Sequence, residues 1–317
     1  VLRRAWVLSG GGNRGPLQVG AMRALLEQGL EPDFLVGTSA GAINAVAFAA
    51  DPTLPGLERL AQAWRGVRRA DIYPGNLFTI LWRILTRQDS LFDSSGMRRV
   101  LQAHLPPGVR TFGDLRRPCY VTAADLRTQR LILFGEDPST PVLEPVLASA
   151  SVPVIHPPVR FRGMQLVDGG VVAVVPVSIA LEKGAEEIYV VDLSFGPQIL
   201  PPRRGIVEIA MTAYQTLLDE QTLDDLYDAL QAPVTLHHVC IPAFREISFL
   251  DFSRTAEMLE AGYEAMRRYL EDPHPDQICA ITAEARRALT AQMVPGGGRT
   301  YAPPRRRRLL EMGPSKG

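Results

Sequence analysis

The sequence predicts an α/β fold: a mostly parallel central sheet with helices on both faces, a three-layer sandwich. Three observations carry this. Two short apolar runs bounded by glycine or proline, Ala5-Trp6-Val7-Leu8-Ser9 and Phe34-Leu35-Val36, have the length and unbroken apolar character of strands buried on both faces. Between them Leu17, Ala21, Ala24 and Leu25 recur at helical spacing, after Pro16 and before Gly29, the residues that favour a helix start and stop. The order strand, helix, strand then requires a crossover, which pairs the strands in parallel and in the right-handed sense.

Length and composition set the bounds. A chain of 317 residues with 46% apolar and 21% charged residues can bury a substantial core. Lys+Arg 34 balance Asp+Glu 34, so no global field favours nucleic acid, and none is expected as a partner. The cysteines Cys119, Cys240 and Cys279 are few, widely spaced and odd in number, which fits a reducing compartment with neither disulfide frame nor zinc site. The first residues do not read as a signal peptide, and no apolar run approaches the roughly 20 residues needed to span a bilayer. These bounds read as a soluble, cytoplasmic protein, membrane association being left open.

Taken in order, the first strand leads into Gly10-Gly11-Gly12-Asn13-Arg14-Gly15, and the first helix follows. The second strand runs into Gly37-Thr38-Ser39-Ala40-Gly41, and an almost wholly apolar helix over residues 40–50 follows at once. Leu57, Leu60, Ala61 and Trp64 mark another helix. Residues 77–87, Leu-Phe-Thr-Ile-Leu-Trp-Arg-Ile-Leu-Thr-Arg, are more apolar than most exposed helices. A lid or a lipid-facing surface would suit Trp82, Arg83 and Arg87, but burial tendency favours a place in the core. Runs at 119–124 and 131–134 predict a hairpin, and small residues at 147–154 allow close backbone approach. A strand at 164–167 ends in Asp168-Gly169-Gly170, which alone reads as a turn. Further elements are expected as a helix at 176–183, a strand at 188–193, a long amphipathic helix at 205–230, a strand at 234–241 and a helix at 253–270. Residues 5–195 form the expected core, residues 196–271 complete the same domain, and 272–317 read as a mobile tail rich in proline, glycine and arginine. Its block Arg305-Arg306-Arg307-Arg308 could touch anionic lipid, although a solvated end is the plainer reading.

Two glycine-rich turns carry the chemistry. Gly37-x-Ser39-x-Gly41 between a strand and a buried helix is the pattern of an elbow that pushes a serine hydroxyl outward, the glycines clearing the crossing backbone. Gly10, Gly12 and Gly15 fit the spacing of a dinucleotide loop. No acidic residue closes the second strand to hold a ribose, however, and no Gly-Lys-Ser/Thr follows, so nucleotide binding ranks last. A row of N–H groups free of side chains, beside Arg14, suits a tetrahedral oxyanion instead.

Together these two blocks and Asp168-Gly169-Gly170 resemble, in order and placement, the three signature blocks of the patatin-like phospholipases. Agreement extends to Ala148-Ser149-Ala150-Ser151-Val152-Pro153 with Pro157-Pro158-Val159, to Thr122-Ala123-Ala124-Asp125-Leu126, and to the last helix around Ala261-Gly262-Tyr263. The resemblance implies a serine acyl hydrolase with a Ser–Asp dyad. Ser39 would be the nucleophile and Asp168 the base, with Gly11, Gly12 and Arg14 forming the oxyanion hole. Gly10, Gly15, Gly37, Gly41, Gly169 and Gly170 would shape the blocks. It also implies a lipid ester substrate. Peripheral membrane contact through residues 77–87 or the basic tail rests on those residues themselves, and, with no metal-ligand cluster apparent in the sequence, neither metal nor cofactor is expected. Val175 stands where the family often has the asparagine that helps hold the aspartate loop. Of the five histidines only His156 falls in a stretch that approaches the site, where it reads as a packed residue. The competing readings are a non-catalytic lipid-binding module on the same fold and an acyltransferase with a histidine base.

Overall fold

The computed structural model describes residues 2–194, 225–244 and 246–279, isolated positions between 204 and 222, and a strand pair at Met293–Val294 and Gly298–Arg299. Its strands are β1 (Arg4–Leu8), β2 (Phe34–Gly37), β3 (Cys119–Asp125), β4 (Arg130–Phe134), β5 (Val159–Phe161), β6 (Met164–Asp168), β7 (Glu187–Asp192) and β8 (Thr235–Cys240). They form one sheet in the order β5-β6-β3-β2-β1-β7-β8, with β4 also paired to β3. The run β3-β2-β1-β7-β8 is parallel, and the antiparallel pairings are those of β4 and β6 with β3 and of β5 with β6. The expected hairpin is β3–β4, so the mostly parallel sheet of the sequence reading is present.

The helices are α1 (Gly15–Glu27), α2 (Ala40–Ala50), α3 (Leu54–Gly66), α4 (Arg69–Ile72), α5 (Leu77–Leu85), α6 (Ser95–His104), α7 (Leu143–Ser149), α8 (Val177–Glu182) and α9 (Thr255–Glu271). Side chains of β1 alternate between two apolar cores, as period-two geometry dictates. Trp6 and Leu8 join α1, α2, α3 and α9 on one face, while Ala5 and Val7 meet α8 and Leu226 on the other. Helices α1 and α9 cross at close range. There the main chain of Leu259 and Tyr263 fills the space a side chain on Gly20 would need, and the main chain of Leu17 does the same at Gly262. Of the expected helix at 205–230, residues 225–229 are helical and most of the remainder lies outside the described residues, as does the basic block at 305–308.

Two expectations fail. Residues 77–87 are not core: Phe78, Leu81, Trp82, Ile84 and Leu85 are all exposed, and Ile80 packs against the Tyr73, Phe92 and Ile155 cluster. A short, largely apolar helix can bury only the face its neighbours cover. The cysteines are not all free either. Cys240, at the end of β8, is bonded to Cys279, and Cys119 is buried as a thiol. Odd number and wide spacing gave no sign of this pair, because it joins a strand end to a segment 39 residues later. The Cys279 N–H also donates to His238 Nδ1 and Asp276 exchanges two hydrogen bonds with Leu236, so the chain beyond α9 is fastened to β8 at several points. His238, Cys240 and Cys279 bring their ligand atoms within 4.8 Å of one another, but in this form the sulfurs bond each other. Among the described residues no helix is long and apolar enough to cross a membrane.

Candidate active site

Ser39 sits in the turn between β2 and α2 with φ 57 and ψ −123, a conformation that costs a non-glycine residue of order 1–3 kcal/mol. The surroundings impose it. Gly41 lies directly on the carbonyls of Leu8 and Ser9 at the end of β1, and Gly37 faces the main chain of Gly41 and Ala42, so neither position has room for a side chain. The Ser39 N–H donates to the buried Ser149 hydroxyl (2.8 Å), which fixes the turn from the side of α7. Thr38 is held by Thr122 of β3 (2.7 Å) and by the Ala173 carbonyl (3.0 Å).

Asp168 ends β6 and reaches the same place by strand pairing. Val121 to Asp125 of β3 pair with β4 along one edge. On the other edge β2 pairs up to Gly37↔Val121 in parallel, while β6 runs the opposite way and ends at Ala123↔Asp168. The two strand ends therefore face each other along one edge of β3, two register positions apart. That spacing is about 7 Å at the usual strand rise.

The Asp168 carboxyl is buried and accepts from the Gly170 N–H (2.7 Å) and from the Ser39 hydroxyl. Burial pushes its pKa up to about 6, and these two hydrogen bonds oppose the rise. At neutral pH the group is still mostly carboxylate, yet close enough to neutrality to take a proton readily.

The loop after β1 lies beside the elbow. The Gly10 N–H donates to Val174 O (3.0 Å), and Gly11 packs against the Leu193 side chain at the end of β7. Gly12 takes φ +57 and opens a short 3-10 turn, Gly12–Arg14, that runs into α1, where Gly15 lies against the Trp64 ring. No described residue accepts from the N–H of Gly11 or Gly12. The Arg14 backbone N–H closes the turn onto Gly11 O (3.2 Å), and its guanidinium is partly buried. The aspartate loop holds its shape without the family asparagine. Val172 and Ala173 donate to Gly169 O, Val174 accepts from Gly10, and Val175 is buried in the second core. Gly169 presses against Thr122.

Ser39 and Gly12 open onto a cavity of about 1000 Å³, its open mouth included. The walls are apolar, supplied by Ile43, Val46, Leu60, Leu101 and Val146 among others. Polar members are few. The Trp64 Nε1–H is committed to Asn44 (2.8 Å), and His156 Nε2 to Ile72 O (3.2 Å). His156 is the packed residue the sequence suggested, stacked on Tyr73, and burial holds its pKa below the ordinary histidine value. Residues that the sequence reading placed only within stretches agreeing with the family, without a role of their own, hold the frame: Ser149 and Thr122 at the elbow, and Asp125, which accepts from Gln165 N (3.0 Å) and so ties β6 to the β3–β4 turn. Buried hydroxyls and carboxylates beside a predicted strand end were the available signal.

With this arrangement in view, the match to known families is decisive: the profile described as Patatin-like phospholipase aligns with residues 6–181, more than half of the chain. The chain belongs to the patatin-like phospholipase family. Curated relatives include an NTE family protein of Mycobacterium tuberculosis, 28% identical over an alignment of 291 residues that covers 86% of this chain and 47% of that protein. Lysophospholipase NTE1 of Saccharomyces cerevisiae is 28% identical over 206 residues, 63% of this chain and 11% of the relative. The chain thus spans about half the length, or less, of these relatives. Among solved structures, VipD from Legionella pneumophila aligns with 86% of this chain and 67% of its own, at 13% identity and TM-score 0.44. ExoU, a type III effector, aligns with 86% of this chain and 54% of its own, at 16% identity and TM-score 0.39.

Proposed function

We propose that this patatin-like chain is a serine acyl hydrolase that cleaves carboxylic esters of phospholipids, lysophospholipids or acylglycerols. The observation that carries the reading is the hydrogen bond from the Ser39 hydroxyl to the buried Asp168 carboxylate at the head of an apolar cavity.

In the first half-reaction Ser39 Oγ attacks the ester carbonyl carbon while its proton passes to Asp168. The carbonyl oxygen becomes an oxyanion facing the glycine loop, where the Gly11 and Gly12 N–H groups and Arg14 stabilise it. The intermediate collapses, and the departing alcohol takes the proton from Asp168, leaving the acyl group on Ser39. Water then attacks the acyl-enzyme, gives its proton to Asp168, and releases the carboxylic acid as Ser39 recovers its hydrogen. The apolar cavity holds the acyl chain. This reading includes contact with the surface of a lipid aggregate, through residues 77–87.

A p-nitrophenyl ester chain-length series on the wild type, Ser39→Ala and Asp168→Asn tests it. Turnover should rise from short to longer acyl chains and fall by roughly a thousandfold or more in each variant, the scale seen when one member of a catalytic set is removed. Turnover retained in Ser39→Ala would remove Ser39 from the mechanism. A wild type silent on every ester but still binding lipid would favour the non-catalytic module, and acyl transfer to a thiol in preference to water would favour the transferase.

A further inference from the structure

The helix α5 presents its apolar side outward. Phe78, Leu81, Trp82 and Leu85 fall at i, i+3, i+4 and i+7, the spacing of a single helix face, and their exposures are 83%, 52%, 67% and 69%. Of the eleven large hydrophobic residues exposed among the described residues, these four and Ile84 lie on this one helix of nine residues. Two more stand beside it. The exposed Phe249 meets the Tyr73 ring (5.8 Å), and the carbonyl of exposed Val154 accepts from Leu91 N (2.8 Å). Scattered apolar residues on a surface need no explanation, but a concentrated patch marks a binding face.

The patch is continuous with the cavity. Ile80, on the inner side of α5, packs with Ile72, Tyr73, Phe92 and Ile155. Ile72 and Tyr73 in turn line the cavity that begins at Ser39. The charge is one-sided as well: between Asp71 and Asp89 the chain carries Arg83 and Arg87 and no acidic residue. Arg83 holds α5 to the following loop through Ser90 (2.9 Å to its carbonyl, 3.0 Å to its hydroxyl), while Arg87 is exposed.

We propose that α5 docks the protein on an anionic lipid bilayer, its outer face entering the interface beside the mouth of the acyl cavity. The proposal rests on the hydrolase reading and names the surface from which that site draws its substrate. An aromatic and aliphatic face flanked by arginines is what a bilayer interface accommodates, with rings at headgroup level and guanidinium groups toward anionic phosphates. A second copy of the chain fits the patch less well. A two-fold contact would bring both copies' Arg83 and Arg87 into one interface with no carboxylate from residues 72–88 to balance them, and a helix about 14 Å long falls short of the roughly 800 Å² per partner of a stable interface.

The fold supplies its own reporter. The chain has three tryptophans: Trp6 is buried (0% exposed), Trp64 (7%) lines the cavity and Trp82 is exposed, so a shift of emission on lipid that Trp82→Phe abolishes reads α5, and one that persists in Trp82→Phe comes from the cavity. The experiment uses the full chain with vesicles of phosphatidylcholine containing phosphatidylglycerol, and with phosphatidylcholine alone. Wild-type emission should shift to the blue on the anionic vesicles, and the bound fraction should fall as salt rises from about 0.05 to about 0.5 M. Replacing two inserted side chains in Phe78→Ser/Leu81→Ser should weaken vesicle partitioning at least ~10-fold. Turnover of a soluble short-chain p-nitrophenyl ester should stay within about twofold, since neither residue lines the cavity. Should the double variant fail to fold, Arg87→Glu at an exposed position still tests the idea, by lowering binding to anionic but not to neutral vesicles.

Any of four results overturns the proposal: an unshifted wild-type emission, undiminished vesicle binding by Phe78→Ser/Leu81→Ser or by Arg87→Glu, a loss of soluble-ester turnover in step with vesicle binding, or a wild-type dimer that the double variant dissolves. A wild type that binds vesicles with the expected shift but cleaves no ester would leave the docking role standing and sink the hydrolase reading alone.

Discussion

At the end of β6 the Asp168 carboxylate is held in a place that opposes its charge. Its folded pKa of about 6 lies above the ordinary value of 3.8, with burial the largest cause. For a carboxyl group raised on folding, the native state binds the proton more tightly than the unfolded chain. Its contribution to stability is therefore fully present below about pH 3.8 and is lost as pH rises through about 6. A shift of this size corresponds to a few kcal/mol at neutral pH. Asp168→Asn, which keeps an acceptor for Ser39 and Gly170, should thus be inactive yet more stable than the wild type at pH 7 to 8, with the advantage gone near pH 4. Melting curves at the two pH values check this. In the wild type, kcat/KM should climb through about pH 6 as the base ionises. A flat profile from pH 5 to 8 would assign the proton transfer elsewhere. The elbow at Ser39 was legible in local motif chemistry, since Gly-x-Ser-x-Gly after a strand specifies it, whereas Asp168-Gly169-Gly170 alone reads as a turn and only its resemblance to a family block singled the carboxylate out. What pushes the carboxylate pKa upward was not legible, since burial is a property of the assembled fold.

Among elements, the pairing of β3 decides the site. Its single edge receives β2 from one direction and β6 from the other, so two turns distant in sequence are brought end to end. The sequence foretold β2, β3, β6 and the hairpin β3–β4 but neither β5 nor this shared edge, because pairing partners of a short strand leave no local trace. The same limit explains α5. Its helical nature and apolar character could be read directly, whereas its exposure depends on which neighbours cover it, and among its described side chains Ile80 and Arg83 are the ones partly covered. The α1–α9 crossing is a contrasting case, since Gly262 was already conspicuous in the last helix. Mid-helix Gly→Ala normally gains about 1 kcal/mol from propensity. Here an added methyl would run into the Leu17 main chain, and overpacking of this kind costs typically 1–3 kcal/mol. Gly262→Ala should therefore lower the urea midpoint without changing the slope of unfolding with denaturant. A raised midpoint would mean that the two helices separate at little cost.

Over the whole molecule, one sheet carries the glycine loop, the elbow and the aspartate at the same end, with an apolar cavity leading away from them under α3, α6 and α7. Alternating apolar runs and helical periods were enough to read the parallel sheet and its covered faces. The Cys240–Cys279 bond was beyond reach, because a pairing between distant segments depends on how they pack. The central claim is that the Ser39 hydroxyl, set against Asp168, is the nucleophile of this molecule. Intact-protein and peptide mass spectrometry after treatment with a fluorophosphonate tests it most directly. One adduct per chain is expected, located on Ser39, absent in Ser39→Ala and formed far more slowly in Asp168→Asn. An adduct on another residue, or labelling of Ser39 at the same rate whether or not position 168 carries a carboxylate, would contradict it.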